Sequence, residues 1–288
     1  MAKGAKGERR VNRNEQQVVK SLGAALPVQG LREQVTALEA AMALVLGDPL
    51  KKPVHKVRTA TRRVEAQLEL LGMLKGEDWA VRTAMRQSGK VRKLLGEVRQ
   101  AAGKVRDLDV QSEMVKKAVV GGKVRELHEE ADELVKYLEG RRDKAAAALV
   151  EELKGHALKL GPKLEKLMEL LKPAEGLLVA DARLAELTRG WYEAGLEDEA
   201  SDELLHAIRK RAKLARYIAE GGGEAAARLA ATFEELQASG GGWHDALTLR
   251  MLAKKRLGKK SALVGMFRER EGQALAIYRL RLGRGAAE

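Results

Sequence analysis

Residues Lys51–Leu71 read KKPVHKVRTATRRVEAQLELL. Wound as a helix at about 100° per residue, the stretch brings His55, Arg58 and Arg62 onto one face, with Lys51 a turn earlier. Val57, Ala60, Val64, Leu68 and Leu71 fall on the opposite side, so the helix is amphipathic. Its polar face carries imidazole and guanidinium without a carboxylate, and the acids Glu65 and Glu69 are expected beyond the cluster. Surface helices usually mix the two signs. A face of one sign is suited to hold an anion, although a single basic face is most often simply solvated.

The pattern occurs twice. Residues 205–219 read LHAIRKRAKLARYIA, in which His206, Arg209 and Lys213 repeat the spacing of His55, Arg58 and Arg62. Lys210 and Tyr217 share that face and Arg216 lies on its edge, with Ile208, Ala212, Ala215 and Ala219 opposite. A second echo follows each copy: GKVRDLDV (103–110) and GGWHDALT (241–248) both place Asp four residues after Gly. Two marks in the same order predict a duplicated helical unit.

Outward from these helices, the chain punctuates as helices throughout. Apolar spacing predicts one from Leu31 to Leu46, ended by Gly47-Asp48-Pro49, and Pro53 fits the first turn of the motif helix. Further helices are expected over Asp78–Val98, from Asp107 to Val120, over Val124–Lys154 and over Lys159–Leu171. Arg92, Arg99 and Arg106 are seven apart and form one line if the helix runs past Gly96 and Gly103. After Pro173–Gly176, the expected boundary between halves, helices follow over Ala180–Ala194, Asp198–Ala219, Glu224–Gln237, Asp245–Leu257 and Ser261–Leu280. Gly121-Gly122 and Ser239–Gly242 read as turns. No period-2 strand is evident, so the class is all-α. Residues 1–16 read as a basic disordered tail, and 17–288 as a single domain of two halves, about 17–172 and 173–288.

Composition narrows the chemistry. In 288 residues the formal charge is +13, with 33% charged residues, so the excess of cations is laid over an ordinary helical protein. Such a field favours polyanions. Aromatics are 3% and scattered, which argues against single-strand readers that stack bases on rings. The chain has no cysteine, which excludes disulfides and thiolate chemistry and suits a reducing cytoplasm. The longest apolar run, near Ala40–Leu46, is too short to cross a membrane. Arginine and lysine crowd each motif histidine and repel a dication, and His128, His156 and His244 have no ligand spacing to them, so no metal and no cofactor are expected. Neither a nucleophile elbow nor a complete P-loop is present. Asp107 and Asp245 suit helix starts or the orientation of arginines better than catalysis.

The stretches VHKVRTATRRVEAQLEL, GKVRDLDV and LHAIRKRAKLARY resemble the conserved histidine α-helical domain, CHAD, and the likeness spans about residues 28–285. The resemblance implies two pseudo-symmetric helical bundles around a basic central cavity or pore. It implies binding of inorganic polyphosphate and, in some members, localisation to polyphosphate granules. Carried over by motif are His55, Arg58, Arg62, Arg63 and Arg106, and in the second half His206, Arg209, Lys213, Arg216 and Tyr217. With Lys51, Arg92, Arg99 and Lys210 these make up the expected phosphate-binding set. The second half departs from the family pattern in its Gly-Gly-Gly-Trp-His-Asp run. Members are often fused to a triphosphate-hydrolysing tunnel domain, whose acidic E-x-E-x-K signature is absent, so the chain reads as a stand-alone, non-enzymatic cytoplasmic binding module. The alternatives are a helical protein that binds nucleic acid non-specifically and an enzyme acting on polyphosphate or nucleotides.

Overall fold

The computed structural model describes residues 24–120, 124–196 and 202–285. The expected basic tail, the Gly121-Gly122 turn and the Asp198 helix entry lie outside these residues. The described chain forms α1 (Pro27–Gly47), α2 (Lys51–Leu74), α3 (Trp79–Gln87), α4 (Gly89–Ala118), α5 (Arg125–Leu171), α6 (Asp181–Glu193), α7 (Asp202–Ala219), α8 (Glu224–Leu257) and α9 (Ala262–Gly285). The all-α class holds. One small addition is an antiparallel bridge in which Ala24–Ala25 (β1) pairs with Val179–Ala180 (β2). Two residues per strand are too few to show a period of 2 in the sequence.

The first motif helix is built as its spacing dictates. Val57, Ala60, Val64, Leu68 and Leu71 of α2 are all buried, packed with Leu31 and Leu38 of α1 and Val98 and Val105 of α4. In α7, Ile208, Ala212, Ala215 and Ala219 are likewise buried. The two motif helices meet through their C-terminal halves. Ala66, Leu70 and Leu74 of α2 enclose one apolar cluster with Leu214, Tyr217 and Ile218 of α7. A second joint unites Leu108 and Val115 of α4 and Leu134 and Leu138 of α5 with Leu249 of α8 and Phe267 of α9. Apolar burial thus fixes α2, α4, α7 and α8 around one another and leaves the N-terminal halves of the motif helices to carry charge. Asp181, the first residue of α6, accepts from the backbone N–H groups of Gly223, Ala225 and Ala226. It caps α8 from another helix and satisfies three otherwise orphaned donors.

Three expected breaks are not breaks. α4 runs unbroken through Gly96 and Gly103, so Asp107 lies inside a helix and not at its start. α5 continues for 47 residues through Gly155 and Pro162. Proline at 162 cannot donate to the carbonyl of Leu158, but Leu158 is 80% exposed, so water can take that acceptor. α8 continues through Ser239–Gly242. A methyl at Gly240 would stand 2.7 Å from Cζ of Tyr278, whose ring is fully buried and whose hydroxyl donates to the Leu205 carbonyl. Each helical glycine costs about 1 kcal/mol relative to alanine, and packing across the helices outweighs it. The opposite error occurs at Ser88, where a turn separates α3 from α4 within the expected Asp78–Val98 helix.

Candidate functional site

Four helices bring their charges to one place. Asp245 of α8 accepts from both terminal nitrogens of Arg106 on α4, at 3.1 and 3.3 Å, and Asp107 accepts from the same guanidinium at 3.1 Å. These two acids orient an arginine, one of the two roles their positions suggested; both lie inside helices, so neither caps a helix start. Arg58 reaches across from α2. A methyl at Gly103 would stand 2.6 Å from its Nη1, so glycine here leaves α4 bare where the guanidinium crosses it. Arg58 lies within the fields of Arg106, Arg99, Asp107 and Asp245. Arg209 of α7 feels Asp245, Arg58 and Arg106. Lys213, one turn further along α7, feels Arg58, Arg62, Arg106 and Arg209. Among the described residues, Arg58, Arg209 and Lys213 have no carboxylate within ion-pairing distance.

Crowding shows in the titration of these groups. Burial, then the fields of Arg58, Arg62, Arg106 and Arg209, push the Lys213 ammonium down to about 7. His55 sits at the solvent-exposed rim, where partial desolvation and then Arg106, Lys213, Arg58 and Lys51 hold its pKa below the ordinary value. Burial and Arg99 depress Arg62, against the pull of Glu65. His244 of α8 is driven down to about 4 by burial and by Arg209 and His206.

One expectation about acids is corrected. Glu65 lies within the cluster and binds Arg62 at 3.0 Å and Arg99 at 2.7 Å. Glu69 pairs with Arg92, which also donates to the Leu68 carbonyl. The line Arg92–Arg99–Arg106 therefore ties α4 to α2, and to α8 at Arg106, through carboxylates.

His55, Arg58, Arg62, Arg99, Arg106, Arg209 and Lys213 are brought together. Lys51 pairs with Glu113 near the rim. Arg63 and Arg216 flank the buried ring of Tyr217, at 5.0 and 5.2 Å from its centroid, and both bind Glu220. That stack is a fastening between α2 and α7, apart from the open cations. Lys210 is exposed. His206 stacks on Trp243 at 4.7 Å and meets the edge of His244 at 4.8 Å. His244 and Trp243 escaped the reading of sequence because the GGWHD run reads as a loop; inside a helix, Trp243 is a core anchor and His244 its neighbour.

The fold and site define an all-helical protein with a convergent, carboxylate-poor cation cluster at the junction of α2, α4, α7 and α8. The family model of the CHAD domain matches residues 29–254, and the chain belongs to the CHAD domain family. Among solved structures it is similar to PptA from Streptomyces chartreusis, at 14% identity and a TM-score of 0.59, covering 90% of this chain and 98% of that one. It is equally similar to the CHAD domain from the plant Ricinus communis, at 17% identity and a TM-score of 0.59, covering 90% and 89%. No curated protein matches the chain. No helix among the described residues is long and apolar enough to cross a membrane.

Proposed function

We propose that the protein is a non-enzymatic binder of inorganic polyphosphate and that the cluster is its binding site. The observation that carries this reading is the convergence of Arg58, Arg209 and Lys213, without carboxylate partners among the described residues, beside His55, Arg62 and Arg106. Guanidinium groups match phosphate oxygens two at a time, and lysine adds point charge. A phosphate chain carries charge along its whole length and is thin enough to lie among side chains of packed helices. A duplex, with its phosphates outside a stiff rod, meets only the surface. Asp107, Asp245 and Glu65 are engaged by arginines, which favours holding an anion over activating a metal for hydrolysis. The family resemblance supports the same ligand and, with it, association with polyphosphate granules.

The test is a competition titration. Labelled long-chain polyphosphate, bound at near-physiological salt, should resist displacement by duplex DNA and RNA by at least about a hundredfold in concentration, and affinity should fall steeply with salt. Equal competition by DNA would replace this reading with non-specific nucleic-acid binding.

Gly103→Ala separates binding from stability. Alanine raises helix propensity by up to about 1 kcal/mol, so the melting temperature should hold or rise. The new methyl displaces Arg58, so polyphosphate affinity should fall by about tenfold, the value of one charge-assisted contact. Equal affinity for wild type and variant would remove Arg58 from the site.

Affinity should also depend on pH, through Lys213. Bound phosphate raises its pKa from about 7 towards the ordinary lysine value, so binding takes up a proton. The contribution is complete below pH 7 and fades as pH rises through the window up to the bound pKa, by at most about tenfold per unit. His55, whose pKa is also lowered when free, adds the same sign at lower pH. Lys213→Arg, with its charge fixed, should flatten the profile above neutrality; an unchanged slope in that variant would assign the proton elsewhere.

A further inference from the structure

We propose that Lys213 is a site of self-acylation by acyl phosphates, small phosphate-bearing electrophiles that Arg58, Arg62 and Arg209 hold against its amine. The geometry supplies both halves of such a reaction. Lys213 is half-buried on α7, with no hydrogen bond or ion pair to a described residue. Arg209 lies one turn earlier on the same helix, and α2 packs against α7 through Ala66, Leu70 and Leu214. The fields of Arg58 and Arg62 from α2 and of Arg106 from α4 reach Lys213, with His55 at the rim within its own field. The acids nearby are occupied: Asp107 and Asp245 on Arg106, and Glu65 on Arg62 and Arg99. An ammonium placed among guanidiniums and partly removed from water is disfavoured, so much of the amine is neutral near pH 7. An amine desolvated beside cations is an activated nucleophile. The same cations bind phosphate and so concentrate the electrophile.

The step balances without a redox partner. The Nζ lone pair attacks the acyl carbon, and the N–C bond forms as the C–O bond to phosphate breaks. Phosphate departs with that electron pair, and the nitrogen sheds one proton to solvent. The arginines stabilise the negative charge that gathers on the leaving phosphate. The product amide cannot be protonated and removes one cation from the centre of the cluster. On the reading given under Proposed function, this lowers affinity for polyphosphate and abolishes the pH slope assigned to Lys213.

The full chain, incubated with acetyl phosphate at neutral pH and digested for mass spectrometry, reports acylation lysine by lysine. Lys213 should be modified at least about tenfold faster than the exposed Lys56 and Lys210. Inorganic orthophosphate should slow Lys213 and leave those two unchanged. Arg58→Ala/Arg209→Ala, checked for folding by circular dichroism, should bring Lys213 to the surface rate. A parallel reaction with a neutral N-hydroxysuccinimide ester should show a smaller preference that orthophosphate does not suppress. Labelling of Lys213 no faster than Lys56 and Lys210 overturns the proposal, as does fast labelling that orthophosphate leaves untouched. None of these readouts uses polyphosphate. Its affinity for the acylated protein is measured separately, so failure of the polyphosphate reading is told apart from failure of this one.

Discussion

The variant Arg58→Ala/Arg62→Ala/Arg209→Ala/Lys213→Ala is expected to lose polyphosphate affinity by about a thousandfold or more at near-physiological salt. Each charge-assisted contact contributes about 1.5–3 kcal/mol, and the four side chains belong to one site, so the loss is large even when their effects are not additive. The salt dependence should flatten as well, by about 0.7 in logarithmic slope for each cation removed. Stability should move the other way. Arg58, Arg62, Arg209 and Lys213 lie in one another's repulsive fields, and burial disfavours the charged form of each. Without ligand, the relief of repulsion should outweigh the lost side-chain stems and the lost Arg62–Glu65 pair, which leaves Glu65 on Arg99, so the variant should melt no lower than wild type. That combination, unchanged or raised melting temperature with lost binding, marks a site kept for function at a cost in stability. A variant that binds as wild type does would leave the charge as a general surface property.

What the sequence made legible, and what it hid, follows from the range over which each cause acts. The face of α2 is a local property: a period of 3.6 sorts Val57, Val64 and Leu68 from His55, Arg58 and Arg62, and the sorting stands in the folded chain. The same holds for α7. The partners of those charged faces are remote. Glu65 meets Arg99 across 34 residues, and Arg106 meets Asp245 across 139. One helix read alone cannot show that its acids are claimed by another, so Glu65 is misplaced in such a reading although it shares the helix with Arg62. Glycine misleads for a related reason. At Gly103 and Gly240 the missing side chain serves a neighbour, Arg58 in one case and the Tyr278 ring in the other, and the helix passes through. Local propensity reads both as breaks. The spacing Gly–x–x–x–Asp carried the better signal, because it placed Asp107 and Asp245 with a common partner in Arg106.

Asp245 is the position at which the ligand-free cluster is most vulnerable. Its carboxylate takes both terminal nitrogens of Arg106, whose pKa is raised, and lies within the fields of Arg58 and Arg209, where it opposes the lowering that burial imposes on both. It is only 22% exposed, so solvent screens it weakly. Asp245→Ala leaves Arg106 with Asp107 alone and adds one net positive charge to a site already short of acids. Removing one member of such a partly buried pair is expected to cost about 2–4 kcal/mol in the ligand-free protein, read as a lower melting temperature. Asp245→Asn keeps one acceptor for Arg106 and should lose less, which separates the hydrogen bond from the charge. Saturating tripolyphosphate should return most of the loss, since the ligand supplies the negative charge the variant lacks. By linkage, a ligand that stabilises the variant more than wild type also binds it more tightly. The expected variant is thus less stable alone and higher in affinity. If tripolyphosphate raises both melting temperatures equally, Asp245 serves only to anchor α8 to α4, and the electrostatic balance assigned to it here is wrong.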